Sequence, residues 1–342
     1  MAQRTVDAHN HWYPKEYLEY LMTRSDSETP YMRHDGGSHY RGYYKGVACC
    51  HIDRPGHYEL DARIKDLDAA GLDTQLLSVT IPGPETLEPE IGVYWAKKCN
   101  DALVKAQEDY PGRFYFLATL PWQVPDEACK ELERCHDMGA KGVQMFSNFA
   151  GEPVFLDKFH GIYEIADKYE MPMLVHPANP LTASVMDAVK IPYQLWGYTL
   201  DTSMAVVSMI FQGLFEKFKN LTLVHGHLGG MVPYFVRRLE DSYKGYGKEW
   251  GIELSESPDI TYKTRVYPDT TSFYLPAMKC CLEWVGADHM CIGTDYAHRV
   301  GDPEGAIKAV KDLGDQAGLS QDEIDMILGK NLEKIFHLPP MP

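Results

Sequence analysis

Thr5-Val6-Asp7-Ala8-His9-Asn10-His11, close to the N-terminus, is the stretch from which the fold can be worked out. Its apolar residues Val6 and Ala8 alternate with polar neighbours, which is typical of a β-strand. Alternate residues of a strand point to the same side, so His9 and His11 are predicted to share one face. Neutral imidazoles are common metal ligands, and this pair would supply half of a metal site at the end of a strand.

Downstream of residue 60 the sequence alternates between strand and helix patterns. Strands are predicted at residues 72–79, 114–120, 141–146, 171–176, 221–225, 265–271 and 290–295, and helices at 61–70, 89–110, 125–138, 157–169, 200–218, 230–243, 275–286, 303–313, 320–328 and 331–336. Together with the first strand, eight strands separated by helices predict an α/β fold, a parallel (β/α)8 barrel. No linker or compositional break divides the chain, which predicts a single domain over residues 1–342.

Two segments lie outside this regular repeat. Residues 12–60 are rich in aromatic residues and glycine and have no strong period. A long stretch of this kind is typical of a functional insertion, here a lid or binding loop after strand one, with a small helix and a hairpin expected inside it. Residues 315–342 are predicted to form a C-terminal helical extension.

Composition limits the classes of partner. The chain has 342 residues, a formal net charge of −16 and a pI near 5.3, which disfavours nucleic acid and anionic membranes. No apolar window is long enough to span a bilayer, and the N-terminus leaves no room for a signal peptide before the first strand. The eight cysteines form no CxxC motif and are predicted to be buried free thiols of a cytoplasmic protein.

Barrel enzymes carry their chemistry at the C-terminal ends of the strands. The predicted strand ends carry six residues of the metal-ligand type: His9, His11, His176, His225, His227 and Asp295. Lys141 begins its strand, at the opposite end of the barrel, so the sequence offers no lysine for the bridging carbamate of a two-metal site. Three histidines and one carboxylate therefore predict one divalent metal, with Zn²⁺ favoured and Mn²⁺ as the alternative.

This ligand pattern resembles the amidohydrolase superfamily, and several local strings resemble its aminocarboxymuconate-semialdehyde decarboxylase branch. The strings are Gly71-Leu72-Asp73-Thr74-Gln75, Tyr110-Pro111-Gly112-Arg113-Phe114, Lys141-Gly142-Val143-Gln144, the run from Ser208 to Phe218, Gly226-His227-Leu228-Gly229-Gly230 and Gly293-Thr294-Asp295-Tyr296. The resemblance extends from residue 5 to residue 337, and it implies the barrel fold and a divalent metal.

The resemblance also implies a role for each matching residue. The metal ligands would be His9, His11, His176 and Asp295. His227 would be the catalytic acid and base, with Asp295 as a second catalytic group. His225 is expected to contact the metal ligands without binding the metal itself. Arg238 matches an arginine that reaches across a homodimer interface to the substrate carboxylate, a task that the planar guanidinium suits.

Further residues are predicted to bind the small-molecule carboxylate substrate. The sequence departs from the branch at Ala297-His298-Arg299, where a proline and an aromatic residue usually follow, and at Lys45, near an expected arginine. His298 and Lys45 are therefore predicted substrate contacts. An aromatic pocket could be lined by Trp12, Phe149, Tyr193 and Trp196, although each of these is also typical of plain core.

The resemblance implies a metal-dependent, non-oxidative decarboxylase of an aromatic or ring-opened muconate-type acid. Two routes fit these residues: addition of a metal-activated hydroxide, or direct binding of the substrate to the metal with proton delivery by Asp295 or His227. One alternative is a hydrolase or hydratase of the same branch that cleaves a C–C bond of a ring-fission product. Another is a binding protein that has lost catalysis, but the complete set of metal ligands argues against this alternative.

Overall fold

Short parallel strands form the wall of a barrel in the computed structural model, which describes residues 3–36 and 39–341. The described strands are β1 (Val6–Asp7), β2 (Tyr31–Gly36), β3 (His39–Tyr44), β4 (Val47–Ile52), β5 (Thr74–Leu77), β6 (Phe114–Ala118), β7 (Gly142–Phe146), β8 (Asn148–Phe149), β9 (Glu152–Pro153), β10 (Met173–His176), β11 (Leu223–His225) and β12 (Val266–Pro268). The barrel sheet is parallel, in the order β1-β5-β6-β7-β10-β11-β12. All of its strand residues are buried, as in parallel sheets covered on both faces.

Residues 290–295, predicted as strand eight, close the barrel without forming a regular strand. The amide of Cys291 donates to the carbonyl of Pro268 at 3.1 Å, and the amide of Asp295 donates to the carbonyl of His9 at 2.9 Å. Between these two contacts, the amide of Ile292 donates to Ile327 instead of to a neighbouring strand, at 2.8 Å. The strand prediction was therefore wrong for this segment, because its hydrogen bonds go to three different partners and no ladder forms.

Helices pack around the sheet, and most lie near the predicted positions. They are Lys15–Thr23, Leu60–Ala70, Pro89–Asp109, Pro125–Asp137, His160–Lys168, Ala183–Val189, Gly197–Phe211, Leu214–Lys217, Val232–Tyr246, Pro258–Arg265, Leu275–Val285, Pro303–Ala317, Gln321–Asp325 and Asn331–Ile335. The helix predicted at 200–218 is divided because Gly213 has a φ of +72°. Two helices, Ala183–Val189 and Pro258–Arg265, lie where the sequence pattern predicts none. Among the described helices, none has both the length and the apolarity to cross a membrane.

The segment after β1 contains the expected small helix and one strand more than the expected hairpin. Its strands β2, β3 and β4 form an antiparallel sheet. Gly42 of β3 pairs with Cys50, and Tyr43 pairs with Ala48, so Cys49 is the extra residue of a β-bulge. The bulge allows adjacent residues of β4 to contact the same cavity, which is described below.

A buried arginine fixes the end of β1, where the first two histidines lie. The Nη1 of Arg63 donates to Asn10 Oδ1 at 3.0 Å and to Gln75 Oε1 at 2.6 Å, while its Nη2 donates to the carbonyl of His11. The carboxylate of Asp7 accepts the amide of His9 at 2.9 Å. These bonds fix the backbone at the end of a two-residue strand and so hold both histidines in place.

The eight cysteines are free thiols, and they are not all buried as the sequence pattern predicts. Cys280 is exposed and Cys129 is half-buried, because the outer sides of their helices face solvent. The other six thiols are buried.

Candidate metal centre

Four of the predicted ligands meet at the C-terminal end of the barrel. One ligand atom from each of His9, His11, His176 and Asp295 lies within 4.8 Å of the others, and all four side chains are buried. The Nε2 of His11 is 2.9 Å from Asp295 Oδ1, and the Nε2 of His9 is 3.8 Å from the same oxygen. Ligand atoms at this spacing can share one cation at the usual bond lengths of about 2.0–2.2 Å.

The hydrogen bonds of the imidazoles leave nitrogen atoms available for a metal. The Nδ1 of His176 is occupied, with Thr80 Oγ1 at 3.1 Å and the carbonyl of Pro177 at 2.8 Å, which leaves its Nε2 for the cluster. The Nε2 of His9 faces Asp295 and is buried without a hydrogen-bond partner. Buried polar atoms are rarely left unpaired, so these residues fit a single divalent metal.

Asp269, which was not predicted from the sequence, contacts the ring of His9 on the side away from the cluster. Its Oδ2 lies 2.5 Å from His9 Nδ1, and its Oδ1 accepts the amides of Leu228 and Thr271, both at 2.9 Å. Burial by itself would raise the pKa of Asp269, but the charge and hydrogen bond of His9 lower it to about 2. Burial would likewise lower the pKa of His9, and Asp269 outweighs this and raises it to about 9. Such a carboxylate–histidine pair fixes the ring tautomer of a metal ligand.

Asp269 could have been found from its position. It lies two residues before the end of the strand predicted at residues 265–271, and in the structure it follows β12 directly.

His227 reaches the cluster through an unusual turn. His227 and Leu228 both have left-handed backbone conformations, with φ of +55° and +59°. The turn brings the ring of His227 to 4.8 Å from that of His9 and 5.9 Å from that of His176, between centroids. A side chain at Gly226 would meet His9 Cε1 at 2.9 Å, which explains the glycine before His227. Burial and the charge of His9 lower the pKa of His227 to about 4.

His225 is buried at the end of β11 and is not among the four clustered ligands. Its Nδ1 lies 3.0 Å from the hydroxyl of Tyr262, and its carbonyl accepts the amide of Asp269 at 3.2 Å. Burial lowers its pKa to about 3. The backbone of His225 therefore contacts Asp269, the residue that holds the ring of His9.

A cavity of about 500 Å³ opens over the cluster. Its volume is in the range of small-molecule sites. Strand β4 contributes three consecutive residues to its wall, as the bulge allows. The lining residues are Cys49, Cys50, His51, Ile81, His176, Gln194, Tyr198, His227, Thr271, Ser272, Phe273, Asp295, His298, Arg299 and Val300.

His298, a predicted substrate contact, lines this cavity. Its ring stacks on His11 with centroids 4.2 Å apart, and its Nδ1 lies 3.3 Å from Nε2 of His57. His57 Nδ1 lies 3.3 Å from the carbonyl of Arg54. Burial lowers the pKa of His57 and of His298. His57 thus orients His298, and no motif in the sequence pointed to it.

The predicted aromatic residues are not among the residues that line this cavity. Trp12 is buried directly after His11. Phe149 stacks on Trp122 in the core, with centroids 4.0 Å apart. Tyr193 is buried and donates its hydroxyl to Asp187 at 2.8 Å, whereas Trp196 is 59% exposed.

Two predicted cationic contacts lie away from the metal cavity of their own chain. Lys45 lines a separate cavity of about 270 Å³. Arg238 is exposed on the Val232–Tyr246 helix, where it lines a surface groove with Tyr234 and Tyr246. Lys141, at the start of β7, lies at the far end of the barrel from the cluster, as predicted.

Comparisons with known proteins agree with this arrangement. The amidohydrolase family profile matches residues 6–338. The 2-amino-3-carboxymuconate-6-semialdehyde decarboxylase of Dictyostelium discoideum is 26% identical over 287 residues, covering 83% of this chain and 78% of the relative. The γ-resorcylate decarboxylase of Rhizobium radiobacter is 29% identical over 250 residues, covering 69% and 76%.

The fold has a solved counterpart. The structure of 5-carboxyvanillate decarboxylase from Novosphingobium aromaticivorans, complexed with manganese, has a TM-score of 0.84 at 22% identity and covers 98% of this chain and 97% of its own. The protein therefore belongs to the amidohydrolase family, within the branch that contains the aminocarboxymuconate-semialdehyde and γ-resorcylate decarboxylases.

Proposed function

We propose that the protein is a metal-dependent, non-oxidative decarboxylase, a carboxy-lyase, of an aromatic or ring-opened muconate-type carboxylic acid. The observation that carries this proposal is the buried group of three histidines and Asp295, with His227 beside it, facing a cavity of about 500 Å³. The aminocarboxymuconate-semialdehyde and γ-resorcylate decarboxylases named above support it, because both remove CO₂ from carboxylic acids, as their names state.

We propose that His9, His11, His176 and Asp295 hold one divalent metal. Three imidazoles and one carboxylate suit Zn²⁺, and the manganese of the related 5-carboxyvanillate decarboxylase makes Mn²⁺ the alternative. When bound, such an ion stabilises the negative charge that develops as CO₂ leaves.

The reaction replaces a carboxylate by a proton on the same carbon, so the enzyme must hold and deliver one proton. We assign this transfer to His227, with Asp295 as the second catalytic group, because both line the cavity. His225 and Asp269 support the site from behind the ligands. Cys49, Cys50 and His51 of β4 cover the cavity and would exclude water from the reacting groups.

We propose His298 as a substrate contact in the cavity wall. Tyr193 and Trp196 are included as substrate contacts because they lie within two residues of Gln194, which lines the cavity. Trp12 is included because it follows the ligand His11 and its buried Nε1 has no hydrogen-bond partner. Lys45 is included as a cationic contact for the substrate carboxylate, and it lines a separate cavity of about 270 Å³.

We propose a homodimer in which Arg238 contacts the substrate of the partner chain. The helix that carries Arg238 exposes large apolar side chains: Tyr234 is 79%, Phe235 46% and Tyr246 61% exposed, and Trp250 beyond the helix is 77% exposed. Exposed apolar groups of this size, together with an arginine, are typical of a protein interface.

We further propose that residues 1–342 act as one barrel domain, with residues 12–60 as its lid and residues 315–342 as a C-terminal extension. The lid assignment is supported by the three β4 residues in the cavity wall. Eight free thiols support a cytoplasmic location.

Product analysis tests the reaction type. Protein loaded with Zn²⁺ or Mn²⁺ is incubated with 2,6-dihydroxybenzoate, 5-carboxyvanillate and a muconate-type acid in D₂O enriched in ¹⁸O. A decarboxylase releases CO₂ and leaves deuterium, without ¹⁸O, on the carbon that carried the carboxylate. A product with ¹⁸O at a cleaved C–C bond would identify a hydrolase instead and overturn the proposal.

A further inference from the structure

An arginine lies at the mouth of the metal cavity, and the reaction described above gives it no role. Arg299 lines the cavity, and 61% of its side chain is exposed, whereas the four clustered ligands are buried. It belongs to the segment Ala297-His298-Arg299, where the sequence departs from the related branch. The resemblance therefore assigns no function to this arginine, although it faces the space in which the substrate would bind.

Arg299 supplies a permanent positive charge to the cavity wall. Among the described residues that line the cavity, it is the one arginine or lysine, and a guanidinium group does not lose its proton in proteins. His51 also lines the cavity, but burial and the charge of Arg299 lower its pKa, so its ring is uncharged at pH 7. Because the chain as a whole carries a formal charge of −16, a local cation at the mouth is needed to attract an anion.

Asp53, the residue after β4, fixes the guanidinium group of Arg299. The Nη2 of Arg299 donates to Asp53 Oδ1 at 3.0 Å, and its Nε donates to Asp53 Oδ2. Both bonds use one edge of the planar group, and Nη1 has no hydrogen-bond partner among the described residues. An arginine held in this way can bind another carboxylate through its remaining donors, and it loses little further freedom on binding.

The ion pair with Asp53 does not by itself account for the arginine. It joins the lid to the loop that follows Asp295, but ion pairs this exposed contribute little to stability. An arginine that only joined these two segments would also not need to line the cavity.

We propose that Arg299 determines substrate choice by binding a second anionic group, so that the preferred substrate is a dicarboxylic acid. This inference rests on the decarboxylase function proposed above and narrows its substrate class. In this arrangement the reacting carboxylate lies at the buried cluster, and the carboxylate that is retained lies at the mouth beside Arg299. The cavity of about 500 Å³ has room for one aromatic ring, or one muconate chain, with two carboxylates.

Pairs of ligands that differ by one carboxylate test the proposal. The probes are 4-hydroxyisophthalate and 2-hydroxyisophthalate against salicylate, and trans,trans-muconate against sorbate. Calorimetry on the metal-loaded, full-length protein at pH 7 gives their affinities, and any probe that is turned over is compared by kcat/KM instead. In 5-carbamoylsalicylate an uncharged amide replaces the second carboxylate of 4-hydroxyisophthalate, which separates charge from size. We expect at least one diacid to be preferred about tenfold or more over its uncharged counterparts.

Variants assign the preference to Arg299. Arg299→Gln should weaken the preferred diacid about tenfold or more and leave its monoacid unchanged, and Arg299→Lys, which keeps the charge without the planar fork, should retain part of the preference. Arg41→Gln is the matched control. Arg41 is another lid arginine paired with an aspartate, Asp35, at 2.9 Å, and it is not among the residues that line the cavity, so its replacement should alter neither ligand.

Three results would overturn the inference: equal preference for diacids and their monoacids, a diacid preference that survives Arg299→Gln, or no binding of any diacid. Each of them would leave Arg299 as a link between the lid and the loop after Asp295. The proposed function fails on a different observation, which is that no acid releases CO₂. A protein that decarboxylates monoacids and shows no diacid preference keeps the proposed function and contradicts the role of Arg299.

Discussion

The Nδ1 atom of His9 lies 2.5 Å from the Oδ2 atom of Asp269, across 260 residues of chain. This contact joins the first strand of the barrel to the end of β12. It keeps the Nδ1 proton of His9 on the side away from the cluster and leaves Nε2 facing Asp295. The orientation of one ligand thus depends on a residue from the opposite end of the sequence.

Replacing Asp269 should therefore weaken metal binding without removing a ligand. We expect Asp269→Asn to fold and to lower the affinity for Zn²⁺ or Mn²⁺ about 10–100-fold, as observed for such supporting carboxylates. Competition with a chelator measures the affinity. Asp315→Asn, an exposed change of the same kind, should leave it unchanged. Equal affinities of the two variants would show that the contact does not orient His9.

The cluster should hold one metal. Elemental analysis of protein loaded with excess Zn²⁺ or Mn²⁺ and then desalted should give about one ion per chain, because one group of four clustered ligands is present in the described residues. The His9→Ala, His11→Ala double variant should lose it. Two tightly held ions per chain, or full retention in the double variant, would be incompatible with the assigned site.

His227 should be needed for turnover and not for metal binding. We expect His227→Asn to fold, keep its metal and lose about 10²–10⁴-fold in kcat, the usual contribution of a general acid or base. His225→Asn is the matched control, because His225 contacts Tyr262 and not the cavity. If His225→Asn is inactive while His227→Asn is active, the roles of the two histidines are reversed.

Mixing two inactive variants tests the shared site. Arg238→Ala supplies an intact His227, and His227→Asn supplies an intact Arg238. Each heterodimer then contains one native site, so random exchange of equal amounts should restore about a quarter of wild-type activity. A strictly monomeric protein, or a mixture that stays inactive while its subunits exchange, would contradict a role for Arg238 in the site of the partner chain.

Glu85 should make the stability of the protein depend on pH. Its pKa rises from an ordinary 4.5 to about 8 on folding, because of burial. Between these values the unfolded chain loses the proton while the folded chain keeps it, so the free energy of unfolding falls by up to about 1.4 kcal/mol per pH unit. Below the lower value both states are protonated and the effect is absent.

Glu85→Gln removes this pH-dependent fall in the free energy of unfolding, because glutamine does not titrate. The variant should gain stability over the native protein as pH rises from 5 to 8, by a total of about 2–4 kcal/mol. Thermal unfolding at several pH values measures the difference, with Glu90→Gln as the control that shows no trend. A difference between variant and native protein that stays constant with pH would mean that Glu85 is ionised in the folded state.

Sequence patterns were sufficient for the architecture and for the ligand set. Alternating strand and helix patterns predicted the barrel. The predicted strand ends offered six candidate ligands, and the resemblance to the amidohydrolase superfamily selected the four that cluster. Both conclusions rest on local information: the period of apolar residues reports which face of an element is buried, and the end of a strand places its side chains at one rim of the barrel.

Tertiary structure alone decided the features that depend on contacts distant in the chain. The pairing of Asp269 with His9, the stacking of His298 on His11 and the support from His57 join elements far apart in sequence, and no local pattern encodes them. The irregular path of residues 290–295 arises because their amides donate to Pro268, to His9 and to the distant Ile327. The raised pKa of Glu85 has the same origin, because burial is a property of all the elements that pack around a side chain and not of its own segment.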